Sequence, residues 1–280
     1  MNINTVIKFA RRRHRLWEGK PTKDPILTQR KFTNVFRVLD RGSQYLISLM
    51  DLYDNPLDRV ALSYFYRQVN RPDTMDDIIE ANDGYAPSFE EITDPRWYDK
   101  VVKGVVEARP GAFLNGAYII LIKPGDGRGT VAKMKEMFPA AAPYLTKAVA
   151  PGDLATRVAL LQKTPGLGPF LAMQIATDLG YCAGEPDQEN TFILAGPGSR
   201  NGVKCISDRK AEEVIKTFPV EELPALPGSG GRPASWMDVQ NVFCEFSKYA
   251  RLLHKGYTGD GKPYQRHGEF DWKIPEQFIQ

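Results

Sequence analysis

Apolar residues along this chain recur three and four positions apart and almost never in strict alternation. That period belongs to helices that bury one face, because side chains at i, i+3 and i+4 lie on one side. Asp24 followed by Pro25 reads as a helix cap before a helix-starting proline. Phe32, Val35, Phe36 and Leu39 then follow at helical spacing, which predicts helix across 30–41. Pro56 opens a segment carrying Leu57, Val60, Ala61 and Tyr64, and Asp73 reads as the cap of TMDDIIEAN, which Gly84 ends. Ser88 and Glu91 have the spacing of a capping box, Asp94-Pro95 starts RWYDKVVKGVVEA, and Asp153 caps LATRVALLQKT. Ser235 with Asp238 opens a long segment whose Val239, Val242, Phe243, Phe246, Ala250 and Leu253 make one apolar face. GAYIILI (116–122) suits a buried helix or a short strand, and PALPGSGGRPAS (224–235) reads as a loop. The expected fold is all-α, mainly helical: a single helical domain over 1–256 and an irregular C-terminal tail over 257–280.

One stretch stands apart. In LLQKTPGLGPFLAMQIATDL (160–179), two short amphipathic segments flank a turn with two glycines. Leu154, Val158 and Leu161 share a face before it; Leu171, Ile175 and Leu179 share one after it. Gly166 and Gly168, on either side of Leu167, permit backbone angles that a Cβ forbids. They also leave amide N–H groups uncovered where the second helix begins, a site that favours an anion. Lys163 adds a charge and Thr164 a hydroxyl. A tight helix–helix connection with no ligand is the other reading of the same residues.

Charge adds direction without deciding. The net charge of +3 permits a nucleic-acid partner without demanding one, but KFARRRHR (8–15) is densely basic and DTMDDIIEAND (73–83) acidic. Such clustering attracts phosphate or forms a solvated face. No apolar run approaches the roughly 20 residues that span a bilayer, and the N-terminus lacks a signal-peptide core. Three scattered cysteines and three histidines argue against a disulfide framework or a zinc centre. A reducing, cytoplasmic setting is expected, with no membrane partner.

The Pro-Gly-Leu-Gly turn within 153–180 resembles the helix-hairpin-helix element of DNA-binding proteins, which grips the phosphate backbone without reading sequence. In glycosylases of that kind a catalytic Asp lies a little over twenty residues beyond the hairpin. The corresponding stretch here is GEPDQENTFI, with Asp187 and Glu189. Phe170, Leu171 and Ala172 stand where a lysine nucleophile would be, against a Schiff-base lyase. Three further stretches sharpen the likeness: RKFTNVFRVLDRGSQYL (30–46), ENTFILAGPGSRNGVK (189–204) and MDVQNVFCEFSKYARL (237–252). With the hairpin they resemble the phage alpha-glutamyl/putrescinyl thymine pyrophosphorylases, or amino acid:DNA transferases. They also resemble the helical module fused to 5-hydroxymethyldeoxyuridine DNA kinases. The similarity runs from about residue 8 to 252. No Gly-x4-Gly-Lys-Ser/Thr loop is present, and PGDGRGT (124–130) lacks the lysine–hydroxyl pair, so the stand-alone module reads as the transferase.

The resemblance implies a helix-hairpin-helix glycosylase-like fold acting on double-stranded phage DNA in a bacterial host. An amino acid or polyamine attacks the C5-methylene of pyrophosphorylated 5-hydroxymethyluracil, and pyrophosphate leaves. The base must be flipped out first, at a cost of a few kcal/mol. Arg30, Asn34, Arg37 and Arg41 fall at i, i+4, i+7 and i+11, one face of the expected helix; arginines suit a departing pyrophosphate, and Asp40 could orient Arg37 or Arg41. The attacking amine needs a base, for which Glu189, Asp187, Asp178 and Glu245 are candidates and Glu189 is favoured; Asp178 reads equally as a helix-end charge. Gly196, Pro197, Gly198, Ser199 and Arg200 could hold a phosphate or carboxylate, or form a plain turn. Asp238, Asn241, Glu245 and Lys248 share the polar side of the long helix, facing the cleft or solvent. Nothing demands a metal, though two carboxylates could hold Mg²⁺. A DNA glycosylase and a non-catalytic DNA-binding module are the rival readings.

Overall fold

The structure is a computed structural model that describes residues 1–115, 129–150, 152–182, 185, 187–255 and 273–279. Among them there is no strand. In chain order the α-helices are α1 (Ile3–Trp17), α2 (Pro25–Gln29), α3 (Arg41–Met50), α4 (Pro56–Val69), α5 (Pro72–Ala81), α6 (Phe89–Thr93) and α7 (Pro95–Trp97). A π turn (Tyr98–Val102) leads into α8 (Lys103–Ala108), followed by α9 (Thr130–Ala148), α10 (Leu154–Leu161), α11 (Pro169–Gly180), α12 (Pro197–Lys204), α13 (Ala211–Lys216) and α14 (Trp236–His254). GAYIILI, the glycine-rich 124–128 and the tail over 256–272 lie outside the described residues.

Helix starts follow local chemistry. Asp24 accepts from the Ile26 and Leu27 amides with Pro25 at the first position, and Asp153 accepts from the Thr156 amide. Ser88 with Glu91 and Ser235 with Asp238 form complete capping boxes. Three expectations change. Helix α5 begins at Pro72, with Arg71 at the cap position, so Asp73 lies in the first turn and pairs with Arg71 and Arg109. Leu253 is 47% exposed rather than part of the apolar face of α14.

The third change matters most. No helix runs through 30–41: α2 stops at Gln29, and the chain is irregular until a 3₁₀ turn over Arg37–Leu39. Val35, Phe36, Arg37, Val38 and Leu39 are buried consecutively, which one face of a helix cannot achieve. Their backbone is held by side chains instead: Asn34 donates to the Leu39 carbonyl, and the Arg37 amide donates to Asp238 Oδ1 at 2.8 Å. Arg30, Asn34, Arg37 and Arg41 therefore do not share a helix face.

The chain gathers into two compact units, Met1–Arg41 with Phe192–Gln280, and Gly42–Thr191. In the first, Phe9 of α1 meets Phe32, Phe246 and Tyr249 at ring-centre distances of 5.0–5.7 Å. Helix α12 lies directly on α14: a Cβ built on Gly202 would stand 2.0 Å from the Phe243 carbonyl oxygen, and one on Gly198 would stand 2.4 Å from Cys244 Sγ. Gly198 and Gly202 of AGPGSRNG thus serve close packing. In the second unit α4 is the central helix, buried from Val60 to Val69. An aromatic cluster surrounds it, with Phe138 of α9 at 5.0 Å from Tyr64, 5.7 Å from Phe65 and 5.8 Å from Tyr98. Trp97 and Tyr98 keep their polar ends bonded, to Asn82 Oδ1 and the Ile92 carbonyl.

The packing of α12 on α14 predicts an asymmetry between glycines. Gly202→Ala drives a methyl into backbone and should cost at least about 1–3 kcal/mol. Gly104→Ala, in α8 with nothing within 4 Å of the added Cβ, should gain about 0.5–1 kcal/mol from helix propensity. Urea midpoints of both variants and the parent check this; an unchanged midpoint for Gly202→Ala contradicts it.

Candidate functional site

The hairpin is formed by α10 and α11. Leu154, Val158, Leu161, Leu171, Ile175 and Leu179 are all buried, as their spacing predicts. Between the helices, Leu167 N–H donates to the Thr164 carbonyl and closes a turn with Pro165 and Gly166 at its centre. Gly166 has φ +78°, the left-handed value a type II turn requires at its third residue. Gly168 has φ −74° and ψ 161°, which any residue adopts, so its Cβ-free state is not needed for the turn. A Cβ there would meet nothing within 4 Å. What Gly168 leaves is an open approach to the start of α11. Among the described residues, the amides of Gly166, Gly168 and Leu171 find no acceptor, and Pro169 has no N–H to offer. Lys163 is exposed, while Leu167 is buried. Thr164 is 2% exposed and its hydroxyl is buried without a hydrogen-bond partner, so the structure turns it inward rather than toward a ligand on the surface.

The segment after α11 folds back on the start of α10. Arg157 pairs with both oxygens of Glu185 at 2.5 and 2.8 Å. Gln188 accepts from the Leu154 amide at 2.6 Å and donates to the Gly152 carbonyl. These contacts place Glu189, 4% exposed, where the Tyr181 hydroxyl donates to its Oε1 at 2.5 Å. Asp187, half-buried, accepts from the Glu189 amide. Asp178 sits elsewhere on α11. It is 1% exposed and held by Arg67 of α4 in a two-pronged pair, Nε–Oδ2 2.5 Å and Nη2–Oδ1 2.8 Å, with Ser43 Oγ accepting from the same guanidinium. A carboxylate so engaged is a packing element of this unit. The sequence reading missed Arg67, Arg157, Gln188 and Tyr181. Only Arg67 carried a signal, as a lone cation inside the apolar run VALSYFYRQV.

In the other unit, α14 presents its polar residues to 33–40. Asn241 donates to the Asn34 carbonyl at 2.6 Å and accepts from Thr33 Oγ1. Glu245, 4% exposed, accepts from Lys248 Nζ at 2.6 Å and from the Thr33 amide at 3.2 Å. Asp238 caps Ser235, holds the Arg37 amide and faces Arg232 at 3.5 Å. Arg37 is buried, Arg30 and Asp40 are half-buried and Arg41 is exposed. Gly196 is the cap residue of α12 and Pro197 its first residue; Ser199 is fully buried, donating to the Gly196 carbonyl and accepting from Gln240. Arg200 is exposed and donates to the Ala195 carbonyl. The structure thus brings Asn34, Arg37, Asp238, Asn241, Glu245 and Lys248 together in one unit. Glu189, Asp187, Asp178 and the hairpin belong to the other.

Two other chemistries are constrained. Burial pushes the Cys182 thiol up to about 12, with nearby Asp51 adding to it, and raises that of Cys244, so neither is a thiolate nucleophile at neutral pH. Among the described residues no three His, Cys, Asp or Glu side chains gather as a metal site, and no helix is long and apolar enough to cross a membrane.

Comparison with known proteins now adds what geometry cannot. The chain matches the family described as 5-hmdU DNA kinase, helical domain, over residues 2–259. It belongs to that family. Membership ties it to thymine modification in DNA and makes DNA its partner class. No curated protein and no solved structure matches the chain.

The hairpin geometry yields a separable prediction. Gly168→Val places a branched side chain over the open amides but meets no protein atom. It should weaken duplex DNA binding roughly tenfold, about the 1.4 kcal/mol of a lost charge-assisted contact, with only a small change in melting temperature. Fluorescence anisotropy at one salt concentration checks it; parent-like affinity contradicts it.

Proposed function

We propose that the chain is a DNA thymine-hypermodifying transferase of the amino acid:DNA type, with a helix-hairpin-helix glycosylase-like arrangement. The observation that carries this reading is the coupling, inside one unit, of an exposed turn with open amides to a buried carboxylate. Glu185 and Gln188, bonded to Arg157 and to the Leu154 amide of α10, lie between them in the chain. The hairpin holds the phosphate backbone through the open amides of Gly166, Gly168 and Leu171, with Lys163 alongside. An extruded base can then be worked on by Glu189, which burial and the Tyr181 hydrogen bond hold in one orientation.

The reaction balances without a redox partner. The amine nitrogen forms a bond to the C5-methylene of pyrophosphorylated 5-hydroxymethyluracil, the carbon–oxygen bond to pyrophosphate breaks, and one amine proton passes to Glu189. Asp187 braces the Glu189 backbone. Arg30, Arg37, Arg41, Arg200 and Lys248 belong to the other unit; they are the cations that the resemblance implies for pyrophosphate, whose developing charge arginines suit. Asn34, Asn241, Asp40, Gly196, Pro197, Gly198 and Ser199 shape the backbone that carries them. Glu245 orients Lys248, and Asp178 holds Arg67.

The test is direct. DNA bearing pyrophosphorylated 5-hydroxymethyluracil is incubated with the protein and amines spanning amino acids and polyamines, then digested to nucleosides for mass spectrometry. The expected product is a thymidine joined through its methylene to one amine, with stoichiometric pyrophosphate. Binding with no new nucleoside for any amine makes the chain a DNA-binding module; release of a free base makes it a glycosylase. Either result overturns the proposal.

A further inference from the structure

Helix α1 contains Lys8, Arg11, Arg12, Arg13 and Arg15 and not one Asp or Glu. The structure sorts these cations by direction. Arg13 turns inward, 4% exposed, and donates to the Phe32 carbonyl through Nε and Nη2. Lys8, Arg11, Arg12 and Arg15 are exposed. Arg11 meets Glu222 at 2.6 Å, and Arg12 meets the buried Asp24 at 3.3 Å. The side chains of Lys8 and Arg15 take no ion pair or hydrogen bond among the described residues. They are separated by two helical turns, about 10 Å of axis, with Arg12 between them. Soluble proteins ordinarily intersperse both signs on such a face, since a single-signed ridge repels itself.

The apolar side of α1 decides between the polyanions that could cover this ridge. A basic amphipathic helix that binds membranes must insert its apolar face. Here that face is spent: Val6, Ile7, Phe9 and Ala10 are 0–6% exposed, and Phe9 packs against Phe32, Phe246 and Tyr249. Only the charged side is on offer. Duplex DNA presents a phosphate about every 1.7 Å of its axis, so the ridge spans several.

We propose that the outer ridge of α1, Lys8, Arg12 and Arg15, is a second, sequence-independent contact to the DNA backbone, carried by a different unit from the hairpin. This rests on the DNA-binding reading above. It assigns the ridge to affinity and orientation on the duplex, not to the chemistry.

The test is the salt dependence of duplex binding for the parent, Lys8→Gln/Arg15→Gln and the charge-preserving Lys8→Arg/Arg15→Lys. Each lost phosphate contact lowers the slope of log K against log salt by about 0.9. The Gln pair should therefore flatten the slope by about 1.8, with an unchanged melting temperature, and the charge-preserving pair should restore it. If the Gln pair keeps the parent slope while Gly168→Val binds more weakly, the ridge is overturned and the DNA reading stands. If the parent binds no DNA even at low salt, both fall. If the Gln pair keeps its DNA slope but loses binding to phosphatidylserine vesicles, the ridge serves a membrane and the proposal is overturned.

Discussion

A carboxylate removed from water must be met by donors, or its burial costs several kcal/mol. Asp178, Glu189, Asp238 and Glu245 are among the described carboxylates buried to within a few per cent, and each organises its surroundings. Asp238 gathers the Ser235 cap, the Arg37 amide and Arg232, fastening an irregular segment to the longest helix of its unit. Glu245 fixes the same segment through the Thr33 amide. Asp178 locks α11 to α4 through Arg67. Glu189 is buried in the unit that carries the hairpin. Among its partners is the neutral hydroxyl of Tyr181, which donates to Oε1. On the proposed reading Glu189, in the unit of the hairpin, serves the chemistry, while Asp178 is engaged by Arg67.

Glycine divides in the same manner. In α12 it lets two helices touch, since Gly202 has no room for a methyl against Phe243. In the hairpin, Gly166 makes the turn by its positive φ, while Gly168 leaves space beside open amides. Identical residue types in Gly-rich runs thus serve packing, turning and access, and only their surroundings distinguish the three.

The sequence made the helix starts legible because caps are local: Asp24, Ser88, Asp153 and Ser235 each act within three residues. The hairpin was legible too, since its apolar faces and its turn lie within one short window. The segment 30–41 was not. Its apolar spacing imitates a helix, but its conformation is fixed by Asp238, some two hundred residues away. Helix α9 carries Pro139 and Pro143 inside it, which local rules count against a helix. Among the candidate site residues, sequence identified acids and cations but not their commitments. Arg67, which holds Asp178, is distant in the chain, and Tyr181, which bonds Glu189, carries no motif.

The most direct test of this separation is single-turnover amine transfer by Glu189→Gln and Asp178→Asn, each with its melting temperature. The account predicts that Glu189→Gln folds and binds DNA like the parent while its transfer rate falls at least about a hundredfold, the usual scale of general-base catalysis. Asp178→Asn should instead lose stability, about 3–5 kcal/mol for a broken buried pair, with its folded fraction still active. A Glu189→Gln protein that transfers at the parental rate would contradict it.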